Sequence, residues 1–504
     1  MLGGELHNSS SSSNEYLDSV WPRLAAMHLN TALLPVAWET IEPDEGRFDF
    51  AVVDGLLKGA RAHNLKLVVL WFGAWKNTYS SYVPGWVKRD PRRFSRVMTS
   101  DGRGTERLSP MNTAARDADA RAFARLMHHL REVDGDTHTV LMVQVENEVG
   151  VIPQSRDHSA MADAAFAAPV PLTLTRSLKE HRTQMDPELR GAWEAAGERT
   201  QGSWQEVFGK GSLTDDLFMA WQYATFIEQV TAAGKREYPL PMFANAALIR
   251  PNYEPGQYNS GGPLPHSKEI WHAGAPSLDF LSPDIYFNEF VQWAGRYARP
   301  DNPLFIPETQ GGSAGAANAL YAFGHLKAFG FSPFGIDDQG NAPLDLVGIT
   351  NPGERLDNSA ISDVYQVLSR LAPSILKGQA GGGLDAAVIE GDAQRSARLS
   401  MGDYTMTLVR VGGVGRLGVM VMQTGADEFL VVGSGDSQIT FSTDKPGPPV
   451  VGIESIDEEF FENGQYLPRR RLNGDENSQG QALRIYATDL SQGRIYRVRL
   501  YRYP

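Results

Sequence analysis

The chain has 504 residues and contains no cysteine, which excludes disulfide bonds, thiolate catalysis and cysteine-ligated metals. Hydrophobic residues make up 42% of the chain and charged residues 21%, as in an ordinary globular protein. The formal net charge of −13 argues against nucleic acid or an anionic membrane surface as a partner, because both would repel the protein.

Strand-like and helix-like segments alternate from residue 1 to residue 376. Eight segments are typical of strands, namely residues 1–6, 31–38, 65–71, 139–145, 241–245, 278–287, 303–308 and 329–336. Helices are predicted at residues 16–27, 52–63, 115–132, 215–236, 315–328 and 359–376. Such alternation implies parallel strands joined by right-handed crossovers. Eight units in a region of this length predict an α/β fold, a (β/α)8 TIM barrel, and the alternative is an open sheet with some strands misassigned.

Two regions depart from this pattern. Residues 151–236 form a long insertion of mixed helix and loop character within the predicted catalytic barrel, residues 1–376. The stretch KGQAGGG (377–383) is typical of a linker, and evenly spaced short strands separated by turn signals follow it. This pattern predicts a smaller all-β sandwich as an accessory domain over residues 377–504, which either packs on the barrel or offers a weak carbohydrate surface, packing being favoured.

Carboxylates follow two of the predicted strands. The stretch LMVQVENEVG (141–150) runs from a buried strand to Glu148, and PLFIPETQGG (303–312) runs from another strand to Glu308. In a parallel barrel the reacting groups sit at the carboxyl ends of the strands, so these two side chains are expected to meet over the barrel mouth. A glycosidase needs such a pair, because one group protonates the leaving oxygen and the other attacks the anomeric carbon.

Each carboxylate has a predicted role. Glu148 would be the general acid and then the base, with a pKa raised by the charge of its neighbour. Glu308 would be the nucleophile, and Tyr286, at the end of the sixth strand, is placed to keep it ionised. The amide of Asn147 would bind a sugar 2-hydroxyl, a contact that strengthens as the oxocarbenium ion develops. A separation of roughly 5–5.5 Å between the carboxyl groups would predict retention of anomeric configuration.

Some of these assignments have alternatives in the sequence. Glu146 competes with Glu148 for the place at the mouth, and Glu148 is favoured because it follows an asparagine. Tyr286 also fits a simple strand end. Further candidates for the sugar site are Glu39 and Asn77, through hydrogen bonds, and Trp38, Trp75 and Trp271, which fit either sugar stacking or a hydrophobic core.

Several short elements resemble a known family. WETIEPDEGRFDF (38–50) resembles the W-x-x-x-E-P-x-x-G-x-[YF]-D-F element of the β-galactosidases of glycoside hydrolase family 35, and GGELHNSS (3–10) resembles their first-strand G-E-[IL]-H element. LWFGAWKN (70–77) and VPGWV (83–87) are similar to the strand-three region of a bacterial branch of that family, which carries a C-terminal β-rich accessory domain. The Asn-Glu pair after strand four, with a Glu after strand seven, also looks like the clan A glycoside hydrolases.

The resemblance implies exo-acting removal of a terminal β-linked galactose with retention, with Glu148 as the acid/base, Glu308 as the nucleophile and Asn147 as the preceding amide. Glu39 stands where many members carry asparagine, and a serine run replaces the aromatic-basic pair that usually follows the first-strand element. These departures leave the exact substrate open. Galactose side chains of plant xyloglucan are one lead from the bacterial branch.

Two rival functions remain at this point. One is a clan A β-glycosidase with another sugar specificity, and the other is a barrel that binds glycans without cleaving them. The expected chemistry needs no cofactor, and no metal is expected because the histidines form no metal-binding motif. The expected partner is a carbohydrate with a terminal β-galactose, and a homodimer is compatible with a large bacterial hydrolase.

The sequence leaves the compartment open. No apolar run approaches the roughly 20 residues that a membrane span needs. The start, MLGGELHNSS, lacks the basic region and apolar core of a signal peptide and already has the pattern of a strand. The expectation is a soluble protein, periplasmic or secreted if an export segment has been removed and otherwise cytoplasmic.

Overall fold

The computed structural model describes residues 1–250, 252–337, 358–413, 415–462 and 464–504. Its first part is a barrel of eight parallel strands, each hydrogen-bonded to the next along the chain. The barrel strands are β1 (Gly3–Glu5), β2 (Thr31–Ala37), β3 (Lys66–Lys76), β6 (Val140–Asn147), β7 (Met242–Ala247), β8 (Phe280–Ile285), β9 (Phe305–Thr309) and β10 (Gly330–Pro333), and a separate hairpin is formed by β4 (Arg96–Met98) and β5 (Gly104–Leu108). Parallel bridges from Leu2 to Phe331 and from Glu5 to Phe334 join the two ends of the sheet. The closed order confirms the predicted (β/α)8 barrel over the open sheet.

Helices surround the barrel. Before the insertion these are α1 (Asn14–Asp18), α2 (Trp21–Ala26), α3 (Trp38–Ile41), α4 (Ala51–Ala62), α5 (Gly85–Lys88) and α6 (Thr113–Asp134). The long insertion after β6 contributes α7 (Ala160–Ala167), α8 (Leu172–Glu180), α9 (Pro187–Ala195), α10 (Trp204–Phe208) and α11 (Ser212–Glu237), and the chain continues with α12 (Lys268–Gly274), α13 (Phe290–Tyr297), α14 (Gly312–Gly324) and α15 (Ser359–Gly381). Within the described ranges, no helix combines the length and the hydropathy needed to cross a membrane.

The C-terminal part consists of two antiparallel sheets. Its strands are β11 (Leu384–Ile389), β12 (Ser396–Met401), β13 (Tyr404–Arg410), β14 (Leu417–Gly425), β15 (Glu428–Ser434), β16 (Ser437–Ser442), β17 (Val450–Glu462), β18 (Gln465–Leu472), β19 (Leu483–Ile485) and β20 (Ile495–Tyr503). One sheet has the order β11-β14-β15-β20-β17-β18 and the other β12-β13-β16-β19. Side chains from both sheets form a hydrophobic core of their own, which is the predicted all-β sandwich.

Two predictions about helix boundaries are wrong. The helix predicted over 16–27 is divided into α1 and α2, because Pro22 in the first turn of α2 has no N–H with which to continue a helix. The helix predicted over 359–376 continues to Gly381, so most of the predicted linker over 377–383 is helical. A Cβ on Gly378 would lie 2.6 Å from the Cβ of Leu384, so this glycine lets the helix end pack closely against β11.

The sandwich packs against the barrel through α14. A Cβ on Gly324 would lie 2.6 Å from the Cβ of Ala386, which shows how closely α14 and β11 approach. The buried guanidinium of Arg416 donates to Asn318 Oδ1 at 2.7 Å and to the carbonyl of Asn288. Apolar residues of β11 and β14 also belong to the hydrophobic cluster of the barrel. These contacts favour a packing role for this face of the sandwich.

Candidate active site

A cavity of about 500 Å³ lies at the carboxyl ends of the barrel strands. This volume is in the usual range for small-molecule sites. Acidic and polar side chains from the strand ends line it, namely Asn77, Glu148, Asp284, Tyr286 and Glu308. The segment after β7 supplies a second group of lining residues, namely Arg250, Tyr253, Gln257, Tyr258 and Asn259. The predicted pair, Glu148 and Glu308, therefore faces one cavity.

Glu148 lies directly after β6, with its backbone in the left-handed region at φ 45°. Its N–H donates to Asn245 Oδ1 at 3.0 Å, and its carbonyl accepts from the Thr78 N–H at 3.2 Å and from Asn259 Nδ2 at 3.0 Å. A non-glycine residue in an unfavourable backbone region costs about 1–3 kcal/mol and persists only when its surroundings hold it. These three bonds fix the strand end from which the Glu148 carboxyl group enters the cavity.

Three buried carboxyl groups converge at this point. Glu148, Asp284 and Glu308 each offer one oxygen, and these oxygens all lie within 4.8 Å of one another. Asp284 is opposite Glu308 in the register of β8 and β9, which explains their proximity. Two unit charges at this distance repel by roughly 3 kcal/mol at an effective dielectric constant of about 20. Repulsion of this size favours a proton on at least one of the three groups near neutral pH.

Tyr286 contacts the predicted nucleophile directly. Its hydroxyl donates to Glu308 Oε1 at 2.5 Å. The second oxygen of Glu308, Oε2, is buried and has no hydrogen-bond partner among the described residues. Glu308 lines the cavity, so a carboxylate with one oxygen held by a donor and the other without a partner can attack a carbon atom bound there.

The surroundings shift the pKa values of the other two carboxyl groups upward. Burial, followed by the charge of Glu308, raises the pKa of Glu148 to about 7, although the charge of Lys76 and a hydrogen bond to Asp284 act in the opposite direction. Burial, followed by the charges of Glu308 and Glu148, raises the pKa of Asp284 well above its usual range. A pKa near neutrality suits a group that both donates and accepts a proton.

A buried lysine balances part of this negative charge. Lys76, the last residue of β3, donates from Nζ to Asn77 Oδ1 at 2.6 Å. Burial alone would lower the pKa of Lys76, but the charges of Glu308, Glu148 and Glu5 raise it above its ordinary value. Burial and the charge of Glu308 likewise raise the pKa of Glu5 well above its ordinary value. The three converging carboxyl groups have ligand spacing for a cation, yet the ammonium group of Lys76 already supplies positive charge beside them.

Of two further predicted residues, Asn77 and Asn147, the structure brings the first to the cavity and places the second beside Glu148 in the chain. Asn77 lines the cavity. Asn147 is buried at the end of β6, and both polar atoms of its amide lack a hydrogen-bond partner among the described residues. A buried amide without a partner is costly, so a ligand hydroxyl that bonded to it would remove that cost.

The other two predicted contacts, from Trp75 and Glu39, are not brought to the cavity. Trp75 is fully buried, donates from Nε1 to the carbonyl of Leu108 at 3.1 Å, and packs edge-on against Phe226. These contacts show that the Trp75 side chain points from β3 towards the surrounding helices and belongs to the core. Glu39 lies in the single turn of α3, which directs its exposed side chain to Lys88 at 3.1 Å.

The remaining candidate residues, Trp38, Trp271 and Glu146, do not line the cavity. Trp38 and Trp271 are fully buried and donate within the core, to Glu42 Oε2 and to the carbonyl of Gly261. Glu146 points away from the cavity, accepts the Trp75 N–H at 2.7 Å through Oε2, and shares a hydrogen bond with the carboxyl group of Asp119 on α6. The carboxylate of the sequence ENE that reaches the mouth is Glu148.

Three charged residues of the site were not predicted, namely Glu5, Lys76 and Asp284. Asp284 and Glu5 lie within predicted strands, so a carboxylate in a buried strand was a visible signal that could have found them. Lys76 lies five residues beyond the strand predicted over 65–71, because β3 continues to residue 76. The stretch between them, Phe72 to Trp75, is apolar and buried, so the predicted strand ended too early.

Comparisons with known proteins bear on the class of this chain. Residues 11–208 match the family model Glyco_hydro_42, described as beta-galactosidase, and residues 361–484 match DUF5597, a domain of unknown function. The first match bears out the predicted class, a glycoside hydrolase, and the similarity to β-galactosidases. It names family 42 where the sequence elements resembled family 35, so the predicted family is not confirmed. A comparison with curated proteins gave no match.

Solved structures that are similar to this chain include several β-galactosidases. That of Bacillus circulans sp. alkalophilus is 15% identical with a TM-score of 0.48, covering 74% of this chain and 56% of that chain. That of Marinomonas ef1 is 14% identical with a TM-score of 0.48, covering 74% of this chain and 60% of that chain. The catalytic domain of a β-amylase from Paenibacillus polymyxa is 13% identical with a TM-score of 0.44, covering 67% and 93%. This chain thus matches little more than half the length of the two β-galactosidases.

Proposed function

We propose that this protein is a retaining, exo-acting β-galactosidase that removes terminal β-linked galactose from oligo- or polysaccharides. The main support for the proposal is that Glu148 and Glu308 line the same cavity. A carboxyl oxygen of Glu148 lies within 4.8 Å of a carboxyl oxygen of Glu308. Retaining glycosidases have carboxyl groups roughly 5–5.5 Å apart, whereas inverting ones leave roughly 6.5–9.5 Å for a water molecule. The short separation supports the double-displacement mechanism.

In the first step, Glu308 attacks the anomeric carbon while Glu148 transfers its proton to the departing glycosidic oxygen. The C–O bond to the leaving group breaks, and an ester bond to Glu308 forms. The Tyr286 hydroxyl, 2.5 Å from Oε1, stabilises the carboxylate before attack and when it departs again. In the second step, Glu148, now ionised, takes a proton from water, and the resulting hydroxide displaces Glu308 from the sugar. The enzyme returns to its starting protonation state.

The choice of galactose is supported by the family match over residues 11–208 and by the elements around Glu5 and Trp38. Polar atoms that lack a partner among the described residues, in Asn147 at the end of β6 and in the cavity-lining Glu308, are suited to sugar hydroxyls. Galactose side chains of xyloglucan are a finer proposal that rests on the resemblance to the bacterial branch.

The test compares aryl β-galactoside, β-glucoside and α-arabinoside side by side, with the product anomer followed by NMR. We expect the highest kcat/KM on the β-galactoside and β-galactose as the first product. Preference for another sugar would replace the galactosidase proposal with a related β-glycosidase. The α-anomer as first product would exclude retention, and no hydrolysis of any substrate would favour a glycan-binding barrel.

A further inference from the structure

Asp284 is tied to the proposed acid/base through a shared partner. It is buried in β8, and its Oδ2 accepts from Asn245 Nδ2 at 2.6 Å. The same Asn245 side chain accepts the backbone N–H of Glu148 through Oδ1 at 3.0 Å. One amide therefore fixes the Asp284 carboxyl group relative to the strand end that carries Glu148.

The carboxyl groups of Asp284 and Glu148 approach each other, with oxygens within 4.8 Å, and a hydrogen bond between them lowers the pKa of Glu148 and raises that of Asp284. Asp284 Oδ1 is buried and has no donor among the described residues, so this oxygen is available for the bond with Glu148. Two carboxyl groups can form a hydrogen bond only if one of them carries a proton. The charged or titratable groups around Asp284 come from six other positions: Glu5, Lys76, Glu148, Tyr286, Tyr297 and Glu308.

We propose, building on the proposed β-galactosidase function, that Asp284 is a positioning residue that keeps its own proton and donates a hydrogen bond to Glu148. In the first step the proton on the leaving oxygen comes from Glu148, and the Asp284 hydroxyl then stabilises the Glu148 carboxylate that remains. In the second step the proton from water returns to Glu148. The proton of Asp284 is never transferred, so the balance of the reaction is unchanged.

The charges at the mouth support this distribution of protons. If Asp284 were ionised, a third carboxylate would stand within 4.8 Å of the nucleophile and of the acid/base. It would oppose both ionisation of Glu308 and proton release from Glu148. Burial and these neighbouring charges raise the pKa of Asp284 well above its usual range, which favours its neutral form.

The test compares two variants through the dependence of kcat/KM on pH, with an aryl β-galactoside. Asp284→Asn reproduces a protonated carboxyl group, because its amide donates to Glu148 while its oxygen accepts from Asn245. We expect its kcat/KM within about threefold of the original protein and an unmoved alkaline limb. Asp284→Leu removes the donor, so we expect kcat/KM to fall by about tenfold or more and the alkaline limb to move up by about one pH unit.

A matched control is Ser282→Ala, which alters the buried interior of the same strand two residues earlier without changing a charge. We expect it to leave the pH profile in place. The proposal is overturned if Asp284→Asn moves the alkaline limb down by a pH unit or more, because that would mean that a negative charge had been removed. It is also overturned if Asp284→Leu, folded, matches the original protein in rate and profile.

A second readout does not depend on catalysis. The infrared difference spectrum between the original protein and Asp284→Asn at pH 7 should show the carbonyl band of one protonated carboxylic acid. If only a carboxylate band is lost, Asp284 is ionised and the inference is wrong. Absence of all glycosidase activity would defeat the proposed function instead, while the infrared result would still decide the protonation state.

Discussion

The hydroxyl of Tyr286 lies 2.5 Å from Oε1 of Glu308 and is the donor that holds this carboxylate in place. Both residues stand at the carboxyl ends of neighbouring strands, β8 and β9, so the barrel itself sets their distance. The hydrogen bond stabilises the ionised form of the proposed nucleophile, which is the form that attacks. It also gives a direct way to test that role.

We expect Tyr286→Phe to lower kcat/KM on β-galactosides by about 10- to 100-fold, because a hydrogen bond to a charged group contributes about 1.5–3 kcal/mol. The matched control is Tyr404→Phe, which removes a phenol–carboxylate bond to Asp427 in the sandwich, far along the chain from the mouth. The control should retain full activity. An unchanged kcat/KM in Tyr286→Phe would show that the contact does not contribute to catalysis.

Azide should give products of opposite anomeric configuration with variants of the two glutamates. Glu308→Ala removes the nucleophile, so we expect a loss on the order of a thousandfold or more on an activated aryl galactoside. Azide entering the vacated space should restore turnover and give the α-galactosyl azide. Glu148→Ala should still form the covalent intermediate from a substrate with a good leaving group, and azide should then give the β-galactosyl azide.

NMR of the two azide products measures this difference. Glu45→Ala is a suitable control, because Glu45 is partly exposed, pairs with Arg93 and lies outside the cavity lining. It should behave as the original protein. Identical azide products from the two active-site variants would mean that the nucleophile and the acid/base have been assigned wrongly.

The sequence predicted the pair of carboxylates for a simple reason. In a closed parallel barrel all strand ends of one kind gather at one mouth, so Glu148 and Glu308 meet although they are 160 positions apart. It was harder to predict which individual side chains point into the cavity. Both Glu146, within β6, and Glu148, directly after it, have positive φ, so the end of this strand does not follow the simple alternation of side chains.

Contacts that depend on local bends were missed for the same kind of reason. A single helical turn after β2 directs Glu39 to Lys88 and away from the cavity. The indole of Trp75 is placed by packing against Phe226 in the insertion helix α11, a contact between residues that are distant in the sequence. Neither the turn nor that packing has a signature in the local residue pattern.

The activity should depend on pH through Glu148, whose pKa burial and the charge of Glu308 raise to about 7. A general acid must be protonated, so we expect kcat/KM to fall about tenfold for each pH unit above about 7. With a dinitrophenyl galactoside, whose leaving group needs no acid, Glu148→Ala should lose this alkaline limb. If Glu148→Ala kept the alkaline limb, a group other than Glu148 would be responsible for it.

Tyr79 is expected to contact the leaving-group sugar of natural substrates. Its ring is 49% exposed, has the guanidinium of Arg107 at 4.2 Å from its centroid, and lines both the 500 Å³ cavity and a neighbouring cavity of about 400 Å³. A braced, exposed ring is suited to stack on a sugar. We expect Tyr79→Ala to lower kcat/KM on a β-galactosyl disaccharide by about tenfold, and Tyr79→Phe to retain it.

β-Galactosyl fluoride is the matched substrate for this experiment, because its leaving group is too small to reach a second sugar site. Tyr79→Ala should hydrolyse it at the rate of the original protein. An equal loss on the fluoride and on the disaccharide would instead place Tyr79 against the galactose itself or show a general disturbance of the mouth.

Glu146 should limit stability at high pH. Burial, followed by the charge of Asp119, raises its pKa well above the ordinary value of 4.5. A group with a raised pKa in the folded state stabilises the fold fully below its unfolded pKa, and this contribution is lost as the pH rises through the folded value. Glu146→Gln keeps an acceptor for the Trp75 N–H and gains a donor for Asp119 without titrating.

We therefore expect Glu146→Gln to match the original protein in free energy of unfolding near pH 4 and to exceed it increasingly towards pH 8. The gain is up to about 1.4 kcal/mol for each pH unit between the pKa of Glu146 in the unfolded state and its pKa in the folded state, and the thermal midpoint should rise with it. Glu146→Ala is the control, because it leaves the Trp75 N–H and Asp119 without their partner and should cost about 1–3 kcal/mol at every pH. Midpoints measured across this pH range test both variants. A difference between Gln and the original protein that did not grow with pH would show that Glu146 is ionised in the folded state without penalty.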